Sequence, residues 1–107
     1  MKNKKIIKDI MTLEKLIHEP SRLAILTILS GVKEADFKFL LRMSGLTRGN
    51  LSVHLSKLEE AGYVNINKRF INKMPNTVYN ITKEGRRAFD EYLKNMGKII
   101  NRKKTEL

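Results

Sequence analysis

The chain has 107 residues, enough for one domain with a modest hydrophobic core. Its 22 lysines and arginines against 11 acids give a net charge of +11. This excess favours a polyanionic partner, nucleic acid first and an anionic membrane surface second, although a generally basic composition is the alternative. The absence of cysteine excludes disulfides and thiolate metal sites. Because no apolar run could span a bilayer, we expect a single cytoplasmic domain over residues 1–107 with no membrane partner.

Apolar residues at helical spacing predict a first helix over residues 5–17. Ile6, Ile10, Leu13 and Ile17 form one stripe, which neighbouring apolar residues widen. The stripe is wider than one-sided packing requires, so it indicates either contact with a second subunit or deep burial in the chain's own core.

Pro20 suits the first turn of a second helix over residues 20–30, where its missing N–H costs nothing. This helix is apolar on almost every side, so we expect it to be central and buried. Arg22, near its start, could reach a backbone phosphate, but we expect it to remain solvated.

A helix-turn-helix unit is predicted next. Asp36 is the expected N-cap of a third helix over residues 37–43, and residues 44–46 form a tight turn that contains Gly45. A fourth helix follows Thr47, its expected N-cap. Two short helices joined by such a turn define the motif.

The fourth helix has one apolar stripe, and Gly62 is expected to end it in a left-handed conformation. Leu51, Leu55 and Leu58 form the stripe, whereas the other face carries mostly small or weak helix formers instead of Glu and Lys. Such a face can approach a partner closely, which suits the major groove of DNA; an ordinary solvent face is the alternative. The candidate DNA contacts are Arg48, Gly49, Asn50, Ser52, Val53, Ser56 and Lys57.

After Gly62 the apolar period changes to two, which predicts antiparallel strands over residues 63–68 and 77–82. We expect a basic loop over residues 69–76, with Pro75 as a turn residue. A hairpin in this place is a wing, and its candidate DNA contacts are Lys68, Arg69, Lys73 and Asn76. Thr82 is the expected N-cap of a last helix over residues 83–100, and residues 101–107 are expected to form a frayed basic tail.

Two segments in this order resemble a known family: G-L-T-R-G-N-L-S-V-H-L-S-K-L-E-E-A-G-Y-V at residues 45–64, and T-V-Y-N-I-T-K-E-G-R-R-A-F at residues 77–89. The chain resembles a small winged-helix transcriptional regulator of the ArsR/MarR-like superfamily. The resemblance implies a mainly α fold of about five helices with a two-stranded β-wing. It also implies sequence-specific binding of double-stranded operator DNA by a homodimer that pairs through its first and last helices.

The homodimer would pair through the terminal helices, residues 5–17 and 83–100. Apolar spacing in the last helix continues beyond what a small domain needs to cover its core. The candidate dimerisation residues are Ile6, Ile10, Leu13, Tyr92, Met96, Ile99 and Ile100.

Two positions depart from the family pattern. Val53 stands where relatives often carry a polar or basic residue, so it would offer an apolar contact to a thymine methyl instead of a hydrogen bond. The wing is less rich in arginine than usual, which weakens the case for an arginine in the minor groove. Specificity is then expected to depend on Arg48, Asn50, Ser52, Ser56 and DNA shape.

Catalytic chemistry is not expected. His18 and His54 are the only histidines, whereas a zinc site needs three or four ligands. No phosphate-binding glycine loop or carboxylate pair is present, so we predict no enzyme, metal or cofactor, and nothing indicates a small-molecule effector. The alternatives to DNA regulation are a winged-helix protein-interaction module and an RNA-binding domain in a larger assembly.

Overall fold

The structure, a computed structural model, describes the backbone of residues 2–106 and the side chains of residues 4–102. Its helices are α1 (Lys2–Met11), α2 (Pro20–Ser30), α3 (Phe37–Ser44), α4 (Arg48–Glu60) and α5 (Lys83–Glu106). Strands β1 (Ala35–Asp36), β2 (Val64–Ile71) and β3 (Met74–Ile81) form an antiparallel sheet in the order β1-β3-β2. The predicted mainly α winged helix-turn-helix with five helices is confirmed over the described residues, which leave out Met1 and Leu107.

The first helix ends at Met11, so the predicted helix over residues 5–17 is wrong beyond that residue. The Glu14 carboxylate accepts the N–H of Leu16 at 2.9 Å, and the Glu14 carbonyl accepts that of His18 at 2.8 Å. The bond from Leu16 to the Glu14 side chain is of the kind that competes with a helix, and the segment forms turns instead. Ile17 is nevertheless fully buried, so the apolar stripe predicted its burial and not its conformation.

Helix α2 is central, as predicted. Ile25, Leu26 and Leu29 are all fully buried and belong to the main core, together with the leucines of α4. Because α2 supports α4 from the inside, the outer face of α4 is left for solvent or a partner.

Helix α3 begins as predicted, since Asp36 accepts the N–H of Phe39 at 2.8 Å. It ends at Gly45, whose φ of +70° is left-handed. Strand β1 was not predicted: Ala35 pairs with Tyr79 and Asp36 with Val78, which adds a third strand to the expected two. A strand of two residues is too short to show an alternating pattern.

The wing is a tight hairpin, and the predicted basic loop over residues 69–76 is wrong. The strands continue to Ile71 and from Met74, and only Asn72 and Lys73 lie between them, with φ of +52° and +65°. Positive φ at both central residues is the pattern of a two-residue turn that matches the twist of the strands. Pro75 therefore lies in β3, opposite Phe70, and not in the turn.

Helix α5 starts as predicted, because the Thr82 hydroxyl accepts the N–H of Gly85 at 2.9 Å. The helix continues to Glu106, so the predicted end at residue 100 is wrong, and residues 101–106 are not a frayed tail. At 24 residues it is roughly 36 Å long. Its late turns contact α1, and an ion pair between Arg102 and Asp9 joins the two helices there.

Candidate nucleic-acid interface

Helix α4 presents two different faces. Leu51, Leu55 and Leu58 are 0%, 2% and 0% exposed and pack in the core. The residues predicted to contact DNA are all exposed on the remaining surface: Arg48, Gly49, Asn50, Ser52, Val53, Ser56 and Lys57. This set, which we call the α4 outer face, is free to meet a partner because nothing in the described part of the chain covers it.

Gly49 leaves one position in the first turn of the α4 outer face without a side chain. A Cβ atom added at Gly49 would find no atom within 4 Å, so packing inside the chain does not require glycine there. Glycine inside a helix costs about 1 kcal/mol relative to alanine. A residue that weakens the helix without serving the fold fits a face that an external surface approaches closely.

Both ends of α4 are fixed as predicted. The Thr47 hydroxyl accepts the N–H of Asn50 at 3.2 Å. At the other end Gly62 has a φ of +81°, and the N–H of Tyr63 donates to the Leu58 carbonyl at 2.9 Å. This is the Schellman arrangement, which stops a helix at a defined residue. The α4 outer face therefore has a defined length and a rigid exit into the wing.

Arg22 anchors α4 to the start of α2. Its Nε donates to the Leu16 carbonyl at 2.6 Å, and its Nη1 lies 3.1 Å from Nδ1 of His54 on α4. Arg22 is half-buried, so the prediction that it is solvated is wrong. Because a guanidinium only donates, this contact makes Nδ1 of His54 the acceptor. His54 is thus a structural tether of α4, and its Nδ1 is not offered to a metal.

Glu19 caps the start of α2, close to the contact between Arg22 and His54. Its carboxylate accepts the N–H of Ser21 at 2.7 Å and that of Arg22 at 3.4 Å, which caps α2. Partial burial alone would raise the pKa of the Glu19 carboxyl, but these two N–H groups lower it below its ordinary 4.5. Sequence reasoning missed this role, although an acidic side chain directly before Pro20 is a recognisable start of a helix.

Arg48 is held at the first turn of α4 by an aromatic ring from α3. Its guanidinium carbon lies 5.9 Å from the centroid of the Phe37 ring, within the range of a cation–π contact. The Phe37 ring in turn lies 6.4 Å from that of Tyr79 on β3. The cation at the N-terminal end of the α4 outer face is therefore oriented by the fold.

The predicted wing residues differ in their surroundings. Lys68 and Lys73 are exposed, and Asn76 is half-buried. Arg69 forms an ion pair with Glu34, and both side chains are well exposed. An exposed pair of this kind contributes little stability, so Arg69 can exchange Glu34 for a phosphate at small cost.

The predicted dimerisation residues differ in whether they are buried inside the single chain or exposed on its surface. Four of them are buried within the single chain: Ile6, Leu13, Tyr92 and Ile99. Met96 is half-buried, whereas Ile10 and Ile100 are exposed. The same two helices also expose large apolar side chains that were not among the candidates: Ile7, Met11 and Leu93. Only the exposed members of both groups are available to a second copy.

A cleft of about 610 Å³ also lies between α1 and α5, and polar side chains such as Lys5, Asp9 and Lys98 line much of it. Residues 4–102 contain no cluster of three potential metal ligands. None of the helices within residues 2–106 combines the length and the apolar character that crossing a membrane requires.

Comparison with known proteins agrees with this geometry. The family model of the winged helix DNA-binding domain matches residues 21–100. The chain is 39% identical over 79 residues to an uncharacterized protein of Methanocaldococcus jannaschii, covering 74% of this chain and 86% of that protein.

Solved structures share the fold. A transcriptional regulator homologue from Pyrococcus horikoshii OT3 superposes with a TM-score of 0.82 at 30% identity, covering 91% of this chain and 95% of that one. A putative regulator of the MarR family from Enterococcus faecalis V583 gives a TM-score of 0.71 at 24% identity, with 94% and 92% covered. The chain thus belongs to the winged helix DNA-binding domain family, and with it to the DNA-binding regulators and not to the enzymes.

Proposed function

We propose that this protein binds double-stranded DNA sequence-specifically as a homodimer and thereby regulates transcription. The observation that carries the proposal is the α4 outer face, where small and polar side chains are exposed while the leucines opposite are buried. Asn50, Ser52 and Ser56 offer short donors and acceptors to base edges in the major groove. Val53 is 51% exposed and supplies an apolar surface for a thymine methyl.

Cations at the edges of this face supply affinity. Arg48 and Lys57 are exposed on α4, and Lys68 and Lys73 are exposed on the wing. Contacts from such residues to phosphates position a protein on DNA but carry little sequence information. Specificity then comes from α4 and affinity from the cations around it.

The dimer is proposed to form through the exposed apolar side chains of α1 and α5. Ile7 is 60% exposed, Met11 69% and Leu93 48%, and Ile10 and Ile100 lie on the same two helices. A two-fold pair of chains binds a near-palindromic site, because each subunit contacts one half of it.

Selection of bound sequences from a pool of random duplexes, followed by gel-shift titration of the winning duplex, tests DNA recognition. We expect one enriched near-palindrome, and a weaker complex when Asn50→Ala or Lys57→Ala is introduced. DNA affinity that neither change alters would point to a protein partner for the α4 outer face. Tighter binding to single-stranded RNA than to the duplex would point to RNA.

The dimer is tested separately by measuring the mass in solution. Ile7→Lys combined with Leu93→Lys should convert a dimer into a folded monomer, because the lysine charges would then lie in the apolar interface. Met43→Lys is the matched control, since Met43 is 56% exposed on α3, away from both terminal helices. A wild-type chain that is monomeric at micromolar concentration and also when bound to DNA would contradict the homodimer.

A further inference from the structure

The wing ends in an apolar tip that the proposed phosphate contacts leave unexplained. Phe70 is 75% exposed, Met74 67% and Ile71 50%. Phe70 is the most exposed large apolar side chain among those described. With Pro75, these residues surround the two-residue turn, and we call the four of them the wing tip. Exposure to water does not stabilise an aromatic ring and two aliphatic side chains at the end of a hairpin.

The wing tip is apolar on both faces of the hairpin. Phe70 pairs with Pro75, and Ile71 pairs with Met74 in the next register position. Successive residues of a strand point to opposite faces, so each face carries one apolar pair. A surface that docks against a flat partner needs only one such face. A two-faced apolar end fits a slot that contacts it from both sides.

The cations around the wing tip indicate which charge the edges of that slot carry. Strands β2 and β3 and their turn, residues 64–81, contain Lys68, Arg69 and Lys73 and no acidic residue. Lys73 lies in the turn itself, and the other two directly precede Phe70. An apolar end surrounded by cations is complementary to a groove with anionic rims and an apolar interior. DNA has this combination, because phosphates border stacked bases.

We infer that the wing tip enters the minor groove of the bound duplex and inserts Phe70 as an apolar wedge at a base step, while Met74, on the opposite face of the hairpin, contacts the other wall of the groove. This inference rests on the proposed function, since it requires that α4 bind the adjacent major groove. The minor groove is about 6 Å wide, so a hairpin end fits it better than a helix. Wedges of this kind partly unstack the step and kink the duplex by roughly 20–90°.

The wedge adds a selectivity that needs no hydrogen bond to a base. Pyrimidine–purine steps unstack more easily than others, so a wedge prefers them at the position under the wing. The selected duplexes should therefore show such a step outside the segment that α4 contacts. The wing tip thereby supplies specificity that Arg69, the single arginine of the wing and the ion-pair partner of Glu34, is not needed to provide.

The test uses the full chain and the duplex obtained by selection, with dyes at its two ends to report bending by energy transfer. Wild type should bend this duplex by at least about 20°. Fluorescence of 2-aminopurine placed successively along the site should rise at one step. Phe70→Thr, alone and with Met74→Thr, should remove at least half of both signals. Threonine keeps the hairpin because it favours strands.

Lys73→Gln is the matched control in the same hairpin. It should weaken binding and lower the salt dependence by about one counterion per subunit, or roughly two for the dimer, while the bend and the unstacked step remain. A wild-type complex with a straight duplex, or a bend that the threonine variants leave intact, overturns the wedge alone. Threonine variants that lose the dimer instead of the bend assign the wing tip to a second copy and also overturn it. If selection enriches no duplex, the proposed function fails first.

Discussion

Gly85 lies directly against the backbone of Tyr63: a Cβ atom added at Gly85 would come within 2.2 Å of the Tyr63 carbonyl oxygen. The same oxygen accepts the N–H of Thr82 at 2.9 Å. The first turn of α5 thus packs on the residue that links α4 to the wing, and only glycine permits this distance.

Gly85→Ala should therefore destabilise the protein by about 3 kcal/mol or more, because backbone and not a flexible side chain must move. Gly97→Ala is the matched control in the same helix, where an added Cβ finds nothing within 4 Å. It should stabilise the chain by up to about 1 kcal/mol. Urea unfolding of both variants measures the difference, and equal unfolding midpoints would contradict the close packing.

Gly49→Ala should change the stability of the fold and the affinity for DNA in opposite directions. The added methyl group meets no atom of the chain and favours the helix, so the free energy of unfolding should rise by up to about 1 kcal/mol. If the α4 outer face approaches DNA closely, the same methyl group should weaken binding about tenfold, which corresponds to roughly 1.4 kcal/mol. Affinity unchanged by Gly49→Ala would mean that DNA does not approach this turn.

Salt should weaken DNA binding strongly. A dimer that neutralises about six phosphates loses roughly a thousandfold in affinity between 50 and 200 mM salt. Lys57→Gln should lower the slope of log affinity against log salt by about one for each contact removed. Lys94 is an exposed cation of α5 that lies outside the proposed DNA interface, so Lys94→Gln should leave the slope unchanged. Equal slopes for both variants would remove Lys57 from the interface.

The capping carboxylate of Glu19 should make the free energy of unfolding depend on pH in the acidic range. Its pKa in the folded chain is lower than its ordinary value of 4.5, so the ionised form stabilises the fold. This contribution is present above pH 4.5 and is lost as the pH falls through the lower folded pKa. The difference in unfolding free energy between wild type and Glu19→Gln should therefore shrink from pH 6 to pH 3. A difference that stays constant over this range would exclude the charge as its cause.

Thr82→Val should cost about 1–2 kcal/mol, because its hydroxyl both caps α5 and donates to the Gly62 carbonyl at 2.6 Å. Thr82→Ser keeps the hydroxyl and should restore most of this loss. Thermal unfolding compares the two. A loss in Thr82→Ser as large as that in Thr82→Val would contradict the dominant role of the hydroxyl.

Local signals in the sequence were sufficient to predict the helix-turn-helix. Capping by Asp36 and Thr47, the leucine stripe of α4 and the stop at Gly62 each depend on neighbours within a few residues. The structure confirms all of them. The exposed outer face of α4 followed from the same stripe, since burying one side of a helix decides which side remains.

Features that depend on distant or weak partners were predicted less well. The segment that follows α1 is held by hydrogen bonds of Glu14, including one from the hydroxyl of Tyr63 at 3.0 Å, which sequence spacing does not show. Asn72 and Lys73 form a tight turn without the glycine that usually marks it. Burial of Ile6 and Tyr92 inside the single chain looks the same in the sequence as burial between two subunits.

The hydroxyl of Thr82 donates to the carbonyl of Gly62, the residue that terminates α4, and accepts the N–H of Gly85 in the first turn of α5, so a single side chain ties the end of α4 to the start of α5. In a pair of chains joined through α5, the separation of the two α4 helices is therefore fixed before DNA arrives. One extra base pair between the halves of a site would displace one half by about 3.4 Å and rotate it by roughly 36°. A homodimer of the proposed kind would therefore measure length along the duplex as strictly as it distinguishes bases.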